Sequence, residues 1–183
     1  MISKEKIKKN FQKFNETAIK YGVMNDDLLE LLGVEFIGAP CSTKESTYNA
    51  YEGGLVQHIL TTTKHAVLIN NSLPEDKQVD QKTLIRVCLL HQIGKAPMFI
   101  EQDSSWHKDR GEMYKFDNDQ LSFKVAERSV YYAMKSGIEL TENEVYGIFN
   151  YNSDFASRPL NGEAERVAAI VRTAQLVAAI AEK

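Results

Sequence analysis

A chain of 183 residues, 43% hydrophobic and 26% charged, has the length of one domain and the composition of an ordinary globular protein. Its formal net charge of -3 excludes a general electrostatic affinity for nucleic acid, so any phosphate it binds must be held by a local group of cations. The two cysteines, Cys41 and Cys88, lack zinc-type spacing, the first residues form no apolar signal core, and no apolar run approaches the roughly 20 residues of a membrane helix, so the expectation is a reduced, cytoplasmic chain that binds no membrane.

Between 3 and 21, Ile7, Phe11, Phe14 and Ile19 recur at helical spacing among lysines, which predicts an amphipathic helix with a solvated basic face, ended by Gly22. A short helix over 25–32 follows, with Asn25 or Asp26 as its N-cap and Gly33 as its stop. Pro40, Gly38 and a Ser/Thr cluster make 34–53 an irregular arm, packed by Phe36, Ile37, Tyr48 and Tyr51. Leu55, Ile59, Val67 and Leu68 predict a helix over 54–70, stopped by Asn70, Asn71 and Pro74. A second core helix spans 80–93, capped by Asp80 and closed by Gly94, with Leu84, Val87, Cys88 and Leu90 on its apolar side.

Charged and aromatic residues between 99 and 117 predict an excursion, with a small β-hairpin over 104–117 turning at Arg110 and Gly111. Trp106 and His107 within it read either as a lid or partner contact, or as a small satellite cluster under the loop. Three helices finish the chain: 122–136, ended by Gly137; 141–151, opened by the capping box of Thr141 and Glu144; and 162–182. The last is the most apolar stretch, but Arg172, Thr173 and Gln175 make it a core helix. The sum is an all-α single domain over 1–183 with six or seven helices, in which 1–33 is an N-terminal helical extension of a core at 34–183.

The chemistry concentrates in Leu89-Leu90-His91-Gln92-Ile93-Gly94-Lys95. This segment resembles the Leu-Leu-His-Asp-Ile-Gly-Lys signature of the HD-domain phosphohydrolases, named for an adjacent His-Asp pair, with Gln92 standing where the Asp belongs. Ala50-Tyr51-Glu52-Gly53-Gly54-Leu55-Val56-Gln57-His58 is similar to the turn and helix start that present the first metal histidine in small bacterial and phage-borne HD proteins. The lead-in Ala39-Pro40-Cys41-Ser42-Thr43-Lys44, the stretch Glu127-Arg128-Ser129-Val130 and the stretch 138–144 follow the same subgroup. The resemblance runs from Phe36 onward and implies an HD-domain-like helical bundle. It also implies four metal positions: His58, His91, Gln92 and, in place of the closing Asp, Gln175 within 173–178. Both acids of the family pattern are glutamines here. A further His of many members corresponds to Val125, and the one expected near 150–152 is missing as well.

A hydrolytic ion must be held firmly enough to acidify its water, and its charge must be offset in a low-dielectric cleft. Two histidines and two aspartates achieve that; two histidines and two glutamines leave the dication uncompensated. The expectation is that His58, His91, Gln92 and Gln175 converge without a catalytic metal, with His58 and His91 a weak or vestigial metal pair and no cofactor. Mn, Ni, Zn or Mg belong only to the alternative of an atypical ligand set, for which Asp117, Asp119 or Asp154 are the candidate replacement carboxylates. Losing two negative charges also suits the cleft to an anion. Lys95, the one candidate catalytic residue, and Arg128 would then hold a nucleotide or other phosphorylated small molecule, with His58, His91, Gln92 and Gln175 around it.

Plainer readings stand beside these. Lys95 is also read as a solvated residue balancing a helix dipole, and Arg128 as a surface ion pair with a neighbouring Glu. His65 lies two helical turns, about 10 Å, beyond His58, too far to share an ion, and reads as partly exposed. Cys88 is core, Cys41 is near the cleft, and the lysines between 4 and 13 are a solvated face. Three functions follow: a catalytically degenerate HD protein, an active metal-dependent nucleotide phosphohydrolase, and a protein-interaction module that meets a partner, or a second copy as a homodimer, through the C-terminal helix. The degenerate protein is preferred, with ligand binding and protein interaction both open.

Overall fold

Side-chain caps start four of the nine α-helices in the computed structural model, which describes residues 2–155 and 159–182. The Ser3 hydroxyl accepts the Lys6 N–H at the head of α1 (Lys4–Lys20), and Asn25 accepts the Leu28 N–H at 2.8 Å at the head of α2 (Asp26–Leu32), each satisfying a donor the helix itself cannot. Phe14, Ala18, Val23, Leu28 and Leu32 point inward from this region and join the same apolar cluster as the later helices. The first 33 residues therefore share the one core. The arm that follows contains a single helical turn, α3 (Glu35–Gly38), and is pinned by Cys41 N–H to Asn49 O and Leu55 N–H to Ala39 O, both at 2.9 Å.

The next helix, α4 (Gly54–Ser72), runs past its expected stop at Asn70. That side chain does not break the helix because it is committed elsewhere: it accepts the Val79 N–H at 2.9 Å and donates to Val79 O at 3.1 Å, stitching down the turn beyond. Asp80 caps α5 (Gln81–Leu90) by accepting the Thr83 N–H at 2.7 Å. This helix ends at Leu90, three residues before the expected boundary, and the chain tightens into a 3-10 turn at Ile93–Lys95. Gly94 is not the helix stop but a contact point. A Cβ there would lie 2.4 Å from Val125 O and 2.8 Å from Ser129 N.

The excursion holds two short antiparallel strands, β1 (Phe99–Glu101) and β2 (Tyr114–Phe116), with Phe99 opposite Phe116. They lie wider apart in sequence than a tight hairpin over 104–117 allows, because one helical turn, α6 (Ser105–Lys108), separates them. Arg110 stacks over Trp106 at 3.8 Å and His107 Nδ1 lies 2.6 Å from Glu112 Oε2, so both aromatic residues belong to a local surface cluster. Gly111 O and Lys44 tie this loop to the arm.

Three longer helices complete the molecule: α7 (Val125–Lys135), α8 (Glu142–Asn150) and α9 (Glu163–Ala181). The capping box at α8 forms as expected, with Thr141 Oγ1 accepting the Glu144 N–H at 3.3 Å and Glu144 accepting the Thr141 N–H at 2.8 Å. The protein is thus mainly α-helical, with nine α-helices among the described residues; the two beyond the seven expected are the single turns α3 and α6. Leu55, Ile59, Leu84, Leu89, Ile148 and Val171 fill the core where α4, α5, α8 and α9 meet. Among the described residues no helix is long and apolar enough to cross a membrane.

Arg86 on α5 links the two ends of this core. It donates to Tyr21 O, Gly22 O and Glu139 O and pairs with Glu144, whose side chain is only 3% exposed. Removing the acid strands a largely buried guanidinium, so Glu144→Ala should cost about 3–5 kcal/mol, read as a lowered urea midpoint. A loss below about 1 kcal/mol would mean that water already screens the pair.

Candidate functional site

His91 caps the C-terminus of α5 and is fully buried. Its Nδ1 lies 2.7 Å from Cys88 O, which requires the hydrogen on that nitrogen and leaves Nε2 as a lone-pair acceptor. Tyr151 meets the ring edge-on at 4.8 Å between centroids. His58, equally buried on α4, repeats the arrangement with a different partner: its Nδ1 is 2.7 Å from Glu182 Oε2, just beyond α9, and the Tyr48 ring stacks on it at 4.5 Å. Neither Nε2 has a hydrogen-bond partner among the described residues, and the same holds for Thr62 Oγ1, Gln92 Nε2 and Glu182 Oε1. A small buried volume thus collects several unsatisfied polar atoms.

The other expected positions reach the same volume. Gln92 is fully buried, and its Oε1 accepts the Cys41 S–H at 3.5 Å. Lys95 turns inward: its Nζ donates to Cys41 O at 3.0 Å, lies 3.7 Å from Cys41 Sγ and sits 5.9 Å from the Tyr48 ring centre. It is not the solvated helix-end residue of the plainer reading. Gln175, half-buried on α9, reaches Tyr48 OH with its Nε2 at 3.5 Å. Burial sets the charges. It drives the His91 pKa down to about 3, with repulsion from His58 and Lys95 adding to it, and lowers that of His58 against the pull of Glu182. It also pushes the Cys41 thiol up to about 11, despite Lys95 beside it. At neutral pH both imidazoles and the thiol are uncharged.

Arg128 does not join this group. Buried under the Ile93–Lys95 turn, its guanidinium donates to Leu121 O and lies over Phe123. It also makes no surface ion pair with Glu127, whose carboxylate accepts the Lys124 N–H at 3.0 Å and lies 3.7 Å from Lys124 Nζ. Asp117 and Asp119 hydrogen-bond within the loop after β2, away from the histidines. The acid that does arrive is Glu182, which motif reasoning missed because it stands 124 residues from His58. A signal was present in the pattern: Val167, Val171, Ala174 and Ala178 mark the buried stripe of α9, and Glu182 continues it by one more turn. His65 is half-buried, and Cys88 is core.

A metal of the kind the resemblance implies would have to be held by this donor set. Two imidazoles with Nδ1 held by a carbonyl and a carboxylate are oriented as metal-bound imidazoles are. The remaining positions fail: Gln92 is engaged by a thiol, Gln175 by a phenol, and the Lys95 ammonium stands beside them. Among the described residues, no group of three or more His, Cys, Asp or Glu side chains is placed to hold an ion. The residues do not fit a divalent hydrolytic centre. A cavity of about 690 Å³ borders Glu182, and its walls carry Glu45, Glu52 and Glu101 against a single Lys108. A scan against protein-family models and searches of curated proteins and of solved structures find no match for the chain.

Neutral buried imidazoles make stability depend on pH with a definite sign. Between about 6.5 and about 3 the unfolded chain binds a proton at His91 that the folded chain refuses. Stability is therefore full above about 6.5 and falls by up to ~1.4 kcal/mol per pH unit below it. Urea midpoints measured from neutral pH downward should show this slope, and His91→Asn should flatten it. Equal slopes in the two proteins would mean the imidazole is protonated in place.

Proposed function

We propose that this chain is a cytoplasmic, catalytically degenerate HD-domain protein, in which the hydrolytic centre of a phosphohydrolase bundle has become a closed polar core. It acts by binding, to a nucleotide or other phosphorylated small molecule or to a protein partner, and not by metal-dependent hydrolysis. The family reading rests on the motif segments around His58 and His91. The observation that carries the loss of catalysis is the exchange of charges at the four motif positions: two neutral imidazoles and two amides surround the old ion position, and Lys95 adds a cation where an ion would need anions.

A role in protein interaction draws support from the outer side of α9, where Leu176, Val177 and Ile180 are exposed. One observation favours the second reading, a hydrolase with an atypical ligand set: the free Nε2 atoms of His58 and His91 are each backed by a partner on Nδ1. Calorimetric titration with Mn, Ni, Zn and Mg separates the two. The expected result is no binding by the wild-type chain below millimolar metal and a gain of at least about a hundredfold in Mn affinity in Gln92→Asp/Gln175→Asp, as two carboxylates enter the ligand set. Tight binding by the wild type, with phosphate release from nucleotides that disappears in His91→Ala, would establish the hydrolase instead.

A further inference from the structure

We propose that the N-terminus of α7 is a binding site for a phosphate monoester, gripped by Arg128. This rests on the non-catalytic binding role proposed above but uses none of the histidine cluster. Arg128 is 4% exposed, yet no acid pairs with it among the described residues; Nη2 donates to Leu121 O, and Nη1 is buried without any acceptor. A guanidinium withdrawn from water and left without a counter-charge is costly. An anion is the missing partner.

The surroundings supply the rest of an oxyanion site. Arg128 is the fourth residue of α7, so its side chain leans back over the first turn of its own helix. There the N–H groups of Val125, Ala126 and Glu127 have no capping side chain, and the positive end of the helix dipole adds to their pull. A cavity of about 340 Å³ is lined by Arg128 itself and, from the residue just before the helix, by Lys124 as a second cation. Its other side is apolar: Phe116 is 58% and Leu121 76% exposed, beside Phe123. Asp117, also on the wall, offers an acceptor to a hydroxyl or amino group. The grip suits any phosphate; the apolar wall suits one esterified to an aromatic or aliphatic body. Two charges oppose an anion here: Asp117 on the wall, and Glu127, close to Lys124.

Calorimetric titration of the whole chain with inorganic phosphate, phenyl phosphate and phenol tests the site. Phenyl phosphate should bind most tightly, phosphate more weakly and phenol not at all; equal binding of the first two would assign the site to free phosphate and overturn the monoester. Arg128→Gln should weaken phenyl phosphate binding at least tenfold, about the worth of a charge-assisted hydrogen bond. Lys124→Glu should weaken it and Glu127→Gln strengthen it, each about threefold, the size of a charge effect at a helix end. These last two side chains reach solvent and carry the test if Arg128→Gln fails to fold. No binding of either phosphate by the wild type at millimolar concentration would overturn the proposal. Binding that ignores all three substitutions but is lost in Lys95→Met would also overturn this site, while leaving the binding role at the histidine cluster standing.

Discussion

The contact between Gly94 and the first turns of α7 is the constraint on which the rest of the molecule depends. The Gly94 N–H donates to Ser129 Oγ at 2.9 Å, and the backbones approach so closely that a hydrogen is the only substituent the α-carbon can carry on that side. Pressing the Ile93–Lys95 turn against α7 has consequences in two directions. On one side it drives His91 and Gln92 out of water and aims Lys95 at Cys41; on the other it roofs over the stem of Arg128. Both polar regions of the protein are set by the same steric fact.

Charge balance explains how the histidine core tolerates its burial. In a metal-loaded centre of the kind the motif implies, two aspartates would offset a dication. Here the imidazoles and the thiol are neutral, and among the described residues the charged groups acting on Cys41 are one ammonium, Lys95, and one carboxylate, Glu182. One charge of each sign closes the account without an ion. The amides at Gln92 and Gln175 fit that economy, since an acid at either position would tip the core negative unless something positive came with it.

Features closed within a few residues were legible in the sequence. The caps at Asn25 and Asp80 and the box at Thr141 and Glu144 join groups three residues apart, so residue type and spacing specify them before any tertiary structure exists. The apolar stripes that place α4, α5 and α9 are equally local. The convergence of His58, His91, Gln92, Lys95 and Gln175 follows from no local spacing; only the resemblance of two short motif segments suggested it. What escaped was set by distant partners: Asn70 reads as a breaker until Val79 occupies it, Arg128 reads as a surface ion pair until the Gly94 turn covers it, and Glu182 has no motif to announce it. A hairpin over 104–117 is tighter than the observed strand pair because α6 carries no strong helical pattern of its own and is held by Arg110 on the Trp106 ring and by the Glu112 carboxylate on His107.

The reach of Arg86 has a bearing on how the chain comes off the ribosome. Its guanidinium fastens the carbonyls of Tyr21 and Gly22 to Glu144, so α1 and α2 acquire this clamp only after synthesis has passed Glu144. Until then Phe14 and Leu28 have no completed shelter, and the nascent segment must wait with sticky surface showing. Synthesis that pauses between α5 and α8 would prolong that vulnerable interval.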